Sequence, residues 1–279
     1  PGPWAERLVE VSDEGDAADV VDGALLGGRY RIEGRLGEGS WGTVFAARHT
    51  DLNKPVAIKV IRFAGDAGAL RAFRLEGVTA ARLDHPNVVD VTDFGTFHDG
   101  AYLVMERLSG MTLAQELRVS STLPARHAAA LLAPVAGVLA AAHAEGVVHR
   151  DIKPENIFLH EQHGQEIVKV LDFGVAMVLD RGSARDERLV GTVAYIAPEV
   201  VERQPFDGRA DVYALGCTLF HVLRGEPPFG LEAGDPMRLA RRHVEEAPPS
   251  PRKALPDAPR AVHELLKRML AKRPRQRPE

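Results

Sequence analysis

Short runs of alternating apolar and polar residues, each bounded by glycine or another turn residue, fill the chain between Arg29 and Glu106. The runs YRIEGRL, TVFAARH, PVAIKVIRF, NVVDVTDFG and AYLVME have the period of two that is typical of β-strands. Between them, Gly68 to Leu83 repeats apolar residues every three or four positions and predicts a helix. This part of the chain is therefore expected to be a small, mostly antiparallel sheet with one helix.

After about Leu108 the apolar residues follow the helical period. The longest predicted helices lie around 124–145, 208–224 and 259–272. A β-rich unit followed by a helical unit is an α+β arrangement, for which a cleft between the two halves is expected. We expect three parts: an acidic leader over residues 1–28, a smaller lobe with its connector over 29–108, and a larger lobe over 109–279.

Negative charge is concentrated at the amino-terminal end of the chain. Residues 1–28 contain seven acids against one arginine, a net charge of −6, whereas the whole chain carries −4 at pH 7. This composition favours a flexible or loosely docked leader. The remainder is close to neutral, so we expect neither a nucleic-acid partner nor an anionic membrane surface.

Cysteine content and hydropathy bear on the cellular compartment. The one cysteine, Cys217, excludes a disulfide within this chain and favours a reducing, cytoplasmic environment. The longest apolar run, Ala128 to Ala142, is shorter than the roughly 18 residues of a membrane span. We therefore interpret it as a buried helix and expect no membrane segment and no signal peptide.

A glycine-rich motif, GEGSWGTV, begins at Gly37. Its three glycines, Gly37, Gly39 and Gly42, have the GxGxxG spacing, which lets the backbone approach phosphate oxygens but also occurs in dinucleotide-binding folds and ordinary turns. A dinucleotide-binding motif opens a helix, whereas here TVFAARH continues as a strand. The motif therefore indicates a hairpin that covers phosphates.

A lysine stands within an apolar strand at VAIK, residues 56–59. The period of two puts Ala57 and Lys59 on the same face, and a buried ammonium group needs a carboxylate partner. Glu76, on an otherwise apolar face of the predicted helix, can supply that carboxylate, although solvation is the commoner fate of both residue types. The neighbouring Gly77 lowers helix propensity, which we interpret as a sign that the helix can shift.

A polar segment, HRDIKPEN at residues 149–156, lies between two apolar flanks. Asp151, Lys153 and Asn156 provide a proton acceptor, a cation and an amide that can bind a metal ion within six residues. Pro154 prevents a continuous helix there. A surface turn would explain any one of these residues but not the whole set.

Together these segments resemble the catalytic domain of serine/threonine protein kinases, in particular the eukaryotic-like kinases of bacteria. Further matching segments are DFG at 172–174, GTVAYIAPE at 191–199, DVYALG at 211–216 and the terminal Arg277-Pro278. The resemblance covers about residues 29–279 and implies a two-lobed protein-kinase-like fold with a small antiparallel N-lobe sheet, one key helix and a mainly helical C-lobe. Family members normally continue with one helix after this point, so two alternatives stay open: the C-lobe is truncated before its last helix, or that helix is absent.

The resemblance implies a role for each matched residue. Asp151 would be the catalytic base for a Ser or Thr hydroxyl of a protein substrate, and Lys153 would contact the γ-phosphate. Asn156 and Asp172 would hold Mg²⁺, with Mn²⁺ as an alternative, while Lys59, fixed by Glu76, would bind the α- and β-phosphates. The expected ATP-binding residues are Leu36, Gly37, Gly39, Gly42, Val44, Ala57, Lys59, Met105, Glu106 and Leu108, with hinge hydrogen bonds from the backbone of Glu106 and Leu108.

The resemblance also points to a regulatory segment before GTVAYIAPE. Arg150 directly precedes the expected base, and such kinases usually neutralise this arginine with a phosphate, in bacterial relatives on threonines about six and eight residues before Thr192. Asp186 occupies one of these positions here. We hypothesise that Asp186 supplies a standing negative charge for Arg150, the alternative being a loop whose acids face water. Ser183 is a further candidate, as an autophosphorylation site.

Two other functions stay open at this point. A pseudokinase scaffold is disfavoured because no matched catalytic position is substituted. A small-molecule phosphotransferase is disfavoured because such enzymes generally lack the lysine of HRDIKPEN and the APE segment, both of which are present. The oligomeric state is left open.

Overall fold

The computed structural model of the protein describes residues 22–39, 42–62, 67–97, 100–173, 193–231 and 235–279. The chain divides into two compact units. The first unit runs to Asp84 and resumes over Val89–Ser109, and the second comprises His85–Val88 and Gly110–Glu279. The first is built on a β-sheet and the second mainly on helices, as the hydrophobic pattern predicts.

The first unit contains a six-stranded sheet in which all neighbouring strands are antiparallel. The strands are β1 (Leu25–Leu26), β2 (Tyr30–Gly39), β3 (Gly42–His49), β4 (Lys54–Arg62), β5 (Val91–Phe97) and β6 (Gly100–Glu106), in the spatial order β1-β2-β3-β4-β6-β5. A helix, α1 (Ala67–Arg82), connects β4 to β5 in the chain. The predicted small antiparallel sheet with one helix is confirmed.

One predicted strand, NVVDVTDFG, starts later than expected. The strand begins at Val91, whereas Val88 forms a parallel bridge with Val170 of the second unit's sheet. The N–H of Val170 donates to the carbonyl of Asn87 over 2.7 Å. The apolar residues before Val91 therefore pair with a different sheet, which an alternating pattern alone does not reveal.

The amino-terminal boundary of the first unit also differs from the prediction. β1 pairs with β2, and Leu26 is buried in the sheet's core. The N–H of Gly23 donates to the carbonyl of Ile32 over 2.9 Å. The stretch Gly23 to Leu26, which was assigned to the leader, thus pairs with β2, because it buries an apolar side chain and satisfies backbone hydrogen bonds there. Residues 1–21 lie outside the described residues.

The two faces of the sheet pack against different apolar groups. One face forms a core that includes Val56, Ile58 and Val60 of β4. On the other face Phe73 of α1 packs with Leu103 of β6. The two apolar groups lie on opposite faces of the sheet, which confirms the β-strand period of two that the sequence predicted for β4.

Gly77 of α1 has a packing role. A Cβ atom at this position would lie 2.3 Å from Cδ2 of Leu103, so a larger residue would require the Leu103 side chain to shift. The close packing of α1 on β6 is thus a second reason for a glycine here, and the interpretation that the helix can shift stays a prediction.

The second unit combines helices with a small sheet. Its helices are α2 (Leu113–Ser120), α3 (Ala125–Ala144), α4 (Pro198–Val201), α5 (Arg209–Arg224), α6 (Pro236–Glu245), α7 (Pro251–Ala254) and α8 (Arg260–Met269), and its strands are β7 (Gly110–Thr112), β8 (Ile157–Gln162) and β9 (Gln165–Val170). The three longest predicted helices correspond to α3, α5 and α8. α5 ends at Gly225, whose φ of 89° is accessible to glycine without strain.

Helix α3 is longer than the apolar run that predicted it. Its 20 residues, with Pro134 inside, are long and apolar enough to cross a membrane by length and composition. The core helix of a folded domain passes the same test. Buried residues of α3, including Leu131, Val135 and Leu139, lie within the second unit, where α3 contacts α5 and β9.

A buried ion pair ties the end of the chain to the start of α4. The Arg277 guanidinium donates two hydrogen bonds to the Glu199 carboxylate, over 2.5 and 2.8 Å. Both residues are buried. Arg277 also donates to the carbonyls of Arg209, Ala271 and Lys272. The Glu199–Arg277 bridge therefore anchors the carboxyl-terminal residues.

Replacing Glu199 by alanine should destabilise the protein strongly, because it leaves the buried Arg277 guanidinium without its counter-ion. We expect the free energy of unfolding to fall by about 3–5 kcal/mol, measured by urea titration. The matched control is Glu246→Gln, which removes an exposed i,i+4 pair with Arg242 and should cost less than about 1 kcal/mol. Equal losses in the two variants would contradict this account.

Candidate active site

The segment HRDIKPEN is held by a buried carboxylate in α5. Asp211 is fully buried and accepts hydrogen bonds from the backbone N–H groups of His149 (2.8 Å) and Arg150 (2.7 Å). The His143 ring nitrogen Nε2 donates to the same carboxylate over 2.8 Å. These bonds support the left-handed φ of 71° at Arg150, which is unfavourable for a residue with a side chain.

Asp151, Lys153 and Asn156 meet within this segment. The Lys153 ammonium lies 2.8 Å from Oδ2 of Asp151, and the Asn156 amide nitrogen donates to the same oxygen over 2.9 Å. Asn156 also donates to the carbonyl of Asp151 over 2.8 Å. Lys153 and Asn156 are buried, while Asp151 is half-buried. The structure therefore brings together the three residues that the sequence grouped.

The segment that contains Asp172 is hydrogen-bonded to the segment HRDIKPEN. The N–H of Leu171 donates to the carbonyl of Asn156 over 2.9 Å, and Nε2 of His149 donates to the carbonyl of Leu171 over 3.0 Å. The fully buried Phe173 packs against the His149 ring, with centroids 4.5 Å apart. Asp172 lies between two anchored residues and takes a left-handed φ of 57°.

The donor atoms of Asn156 and Asp172 suit a hard divalent cation. The Asn156 amide nitrogen is used by Asp151, which leaves its Oδ1 atom as an oxygen ligand, and Asp172 adds a carboxylate. Mg²⁺ prefers one or two such protein oxygens together with water and phosphate oxygens. In the part of the chain that the structure describes, no group of three or more His, Cys, Asp and Glu residues could hold a metal ion by itself. The residues thus fit Mg²⁺ bound together with a nucleotide.

The glycine-rich motif forms the hairpin between β2 and β3. Gly37 pairs with Val44, and Gly39 pairs with Gly42, whose φ is 134°. A Cβ atom at Gly42 would lie 2.2 Å from the carbonyl oxygen of Val60, whereas one at Gly37 would meet no protein atom. The chain itself therefore leaves space beside Gly37. Leu36 is exposed at the same hairpin.

Lys59 and Ala57 lie on one face of β4, as predicted. Both are buried, and they pair with Leu103 and Met105 of β6 respectively. The side chain of Glu76 lies outside the described residues, although its backbone belongs to α1. The Lys59–Glu76 ion pair stays a prediction.

The connector after β6 contains the expected hinge residues. The N–H of Glu106 donates to the carbonyl of Asp90 over 2.9 Å, and its carboxylate accepts the N–H of Asp90 over 3.0 Å. This N–H is therefore already used within the first unit. Leu108, which follows in the connector, is half-buried.

Tyr195 and His221 form an uncharged pair near the segment HRDIKPEN. The Tyr195 hydroxyl donates to Nδ1 of His221 over 2.7 Å. Burial raises the pKa of Tyr195 well above its usual value, and the negative charges of Glu155 and Asp151 raise it further. Burial lowers the pKa of His221. Both groups are therefore uncharged at neutral pH.

Sequence reasoning missed the roles of Asp211 and His143. Asp211 appeared only as the first letter of a matching motif, and His143 as part of an apolar helix. An acidic residue at the start of the apolar run DVYALGCTLF was the available signal, because a buried carboxylate requires several donors. The predicted residues Ser183, Asp186 and Thr192 lie outside the described residues.

Comparison with known proteins identifies the same architecture. The sequence model of the protein kinase domain matches residues 30–279. The chain is 38% identical over 265 residues to the serine/threonine-protein kinase PknJ of Mycobacterium tuberculosis, covering 94% of this chain and 45% of that protein. It is 38% identical to the serine/threonine-protein kinase pkn3 of Myxococcus xanthus, covering 93% and 49% of the two chains. For PrkC of Bacillus subtilis the identity is 35%, over 91% of this chain and 39% of that protein. The chain thus spans about half, or less, of the length of these curated relatives.

Proposed function

This chain belongs to the protein kinase family, and we propose that it transfers the γ-phosphoryl group of ATP to serine or threonine hydroxyl groups of proteins. The observation that supports this most directly is the cluster of Asp151, Lys153 and Asn156 on a loop held by Asp211. Its serine/threonine specificity is supported by Lys153, by Thr192 and by the similarity to serine/threonine-protein kinases described above.

The two carboxylate oxygens of Asp151 have different roles. Oδ2 accepts from Lys153 and Asn156, which fixes the orientation of the carboxylate. Oδ1 has no hydrogen-bond partner among the described residues and is the oxygen that accepts the hydroxyl proton of the substrate. The substrate oxygen then forms a bond to the γ-phosphorus, the bond from that phosphorus to the β,γ-bridging oxygen breaks, and ADP leaves. Most of the rate comes from positioning, because this reaction requires little covalent chemistry of the protein.

The remaining site residues bind and orient the nucleotide. Asn156 and Asp172 supply oxygen ligands to Mg²⁺, or to Mn²⁺ as the alternative. When bound, the metal ion neutralises charge on the phosphate oxygens. Lys59 contacts the α- and β-phosphates, and Lys153 contacts the γ-phosphate as a cation. The hairpin at Gly37 leaves room for phosphate oxygens. Adenine lies between Val44 and Ala57, with Leu36, Met105, Glu106 and Leu108 around it.

Replacing Asp151 by asparagine should abolish most of the phosphoryl transfer while leaving nucleotide binding intact. Because the amide cannot accept the hydroxyl proton, we expect kcat to fall by about a hundredfold or more. The Kd for ATP should stay within about threefold of the wild-type value. The assay uses radiolabelled ATP, Mg²⁺ and a generic protein substrate, with Glu161→Gln, an exposed change in the β8–β9 hairpin, as the control.

The same assay separates the competing functions. A pseudokinase would transfer no label in the wild-type protein, and a small-molecule phosphotransferase would label a panel of small alcohols in preference to protein. Label on protein that persisted undiminished in Asp151→Asn would contradict the assignment of the base.

Asp186 is our proposed source of negative charge for Arg150. The proposal is supported by the position of Asp186 before Thr192 and by Nε of Arg150, which is buried without a hydrogen-bond partner among the described residues. A single carboxylate carries less charge and fewer acceptor atoms than a phosphate, so it is a weaker partner for the guanidinium. Ser183 is the alternative source, as a phosphorylated residue.

Asp186→Asn should lower the activity of phosphatase-treated protein by about threefold to tenfold, the effect of losing one ion pair. Ser183→Ala is the control and should leave the activity unchanged both before and after phosphatase treatment. If Asp186→Asn were fully active while Ser183→Ala lost activity in the untreated protein, phosphorylation would be the source of the charge instead.

A reducing cytoplasm is the compartment that we assign to this domain, since ATP is its phosphoryl donor. Cys217 is fully buried, and burial raises the pKa of its thiol, so it acts as a small apolar core residue. The expected partner is a protein with a Ser or Thr acceptor, and no feature of the charge distribution favours nucleic acid.

A further inference from the structure

The side chain of Arg150 lies over the ring of Phe206. The guanidinium carbon is 5.0 Å from the ring centroid, within the range of a cation–π interaction. Phe206 belongs to the segment between α4 and α5 and is 36% exposed. The aromatic side chain is therefore partly open to solvent, so its contact with Arg150 is not explained by burial in a core.

Among the described residues, the hydrogen bond that Arg150 donates comes from its backbone. Its N–H donates to Oδ1 of Asp211, and its φ of 71° is sterically unfavourable. Its Nε atom is buried and has no hydrogen-bond partner among the described residues. Burial lowers the pKa of the guanidinium, while the charge of Asp211 opposes that shift. The side chain thus carries a partly desolvated charge, and among the described residues it lies against the Phe206 ring.

A cation–π contact can leave part of a guanidinium group available. When the group stacks on a ring it uses its flat face, whereas its N–H bonds point outward in the plane. Such a contact can restrict the rotamers of Arg150 without using its N–H groups, which an anionic group can then bind. Ordering a long arginine side chain costs conformational entropy, and the ring offsets this cost before any anion binds.

We propose that Phe206 is a positioning residue for phosphoryl transfer. Its ring holds the Arg150 guanidinium and, through the adjoining peptide, limits the motion of Asp151. The inference rests on the proposed kinase function, because it assigns the ring a role in orienting the base.

The test compares Phe206→Leu with Phe206→Tyr. Leucine keeps an apolar side chain but has no π-system, so kcat should fall by about threefold to tenfold. Tyrosine keeps the ring and should restore kcat to about the wild-type value. The KM for ATP should be unchanged in both variants, and the Tm of Phe206→Leu should stay within about 2 °C of wild type.

A double-mutant cycle identifies the partner of the ring. In an Arg150→Gln background the cation is absent, so Phe206→Leu should cause no further loss of kcat. Losses that multiplied in the double variant would overturn the proposal, because the ring would then act independently of Arg150. The proposal would also fail if Phe206→Leu were as active as wild type, or if tyrosine were as inactive as leucine.

Amide hydrogen exchange supplies a readout that does not depend on catalysis. We expect Phe206→Leu, but not Phe206→Tyr, to accelerate exchange in residues 149–153 by about threefold to tenfold. If wild-type protein transferred no phosphate but this pattern appeared, the kinase assignment would fail while the contact stood. Equal exchange in both variants and wild type would overturn the proposal itself.

Discussion

The second unit of the structure depends on how it stabilises one buried carboxylate. Asp211 is excluded from solvent and is compensated by donors from the catalytic loop and from α3, namely the N–H groups of His149 and Arg150 and the ring of His143. Hydrogen bonds to an ionised group are stronger than neutral ones, and an uncompensated buried charge is costly. The same carboxylate therefore drives the loop to close onto α5 and permits the strained backbone at Arg150.

The position of this loop also determines where the proposed site residues lie, because they are close to it in the chain or hydrogen-bonded to it. Asp151 comes directly after Arg150, and its carboxylate is oriented by Lys153 and Asn156. The carbonyl of Asn156 then receives the N–H of Leu171, which sets the residue before Asp172. The proposed base, Asp151, and the proposed metal ligands, Asn156 and Asp172, thus belong to one hydrogen-bonded framework. The Glu199–Arg277 pair closes the unit elsewhere and keeps α4 in contact with the end of the chain.

The sequence predicted the elements well because local patterns determine them. The period of two along β4 and the helical repeats of α3 and α5 depend on neighbours in the chain, and the motif residues of the loop are contiguous. The start of β5 and the inclusion of Leu26 in the sheet escaped prediction, since each depends on which distant strand accepts the hydrogen bonds. The contacts of Asp211 join residues more than sixty positions apart, with separations of 61, 62 and 68. Single-sequence patterns carry no information about such pairs.

The most direct test of this account is the kcat of Asp211→Asn, measured together with hydrogen exchange at the amides of His149 and Arg150. Asparagine has nearly the same shape but only one acceptor oxygen, so one of the two amides loses its partner. We predict that both amides exchange faster and that ATP still binds. We also predict that kcat falls by about 10- to 150-fold, which is the loss expected for one hydrogen bond to a charged group. A variant with wild-type kcat and unchanged exchange would contradict the account.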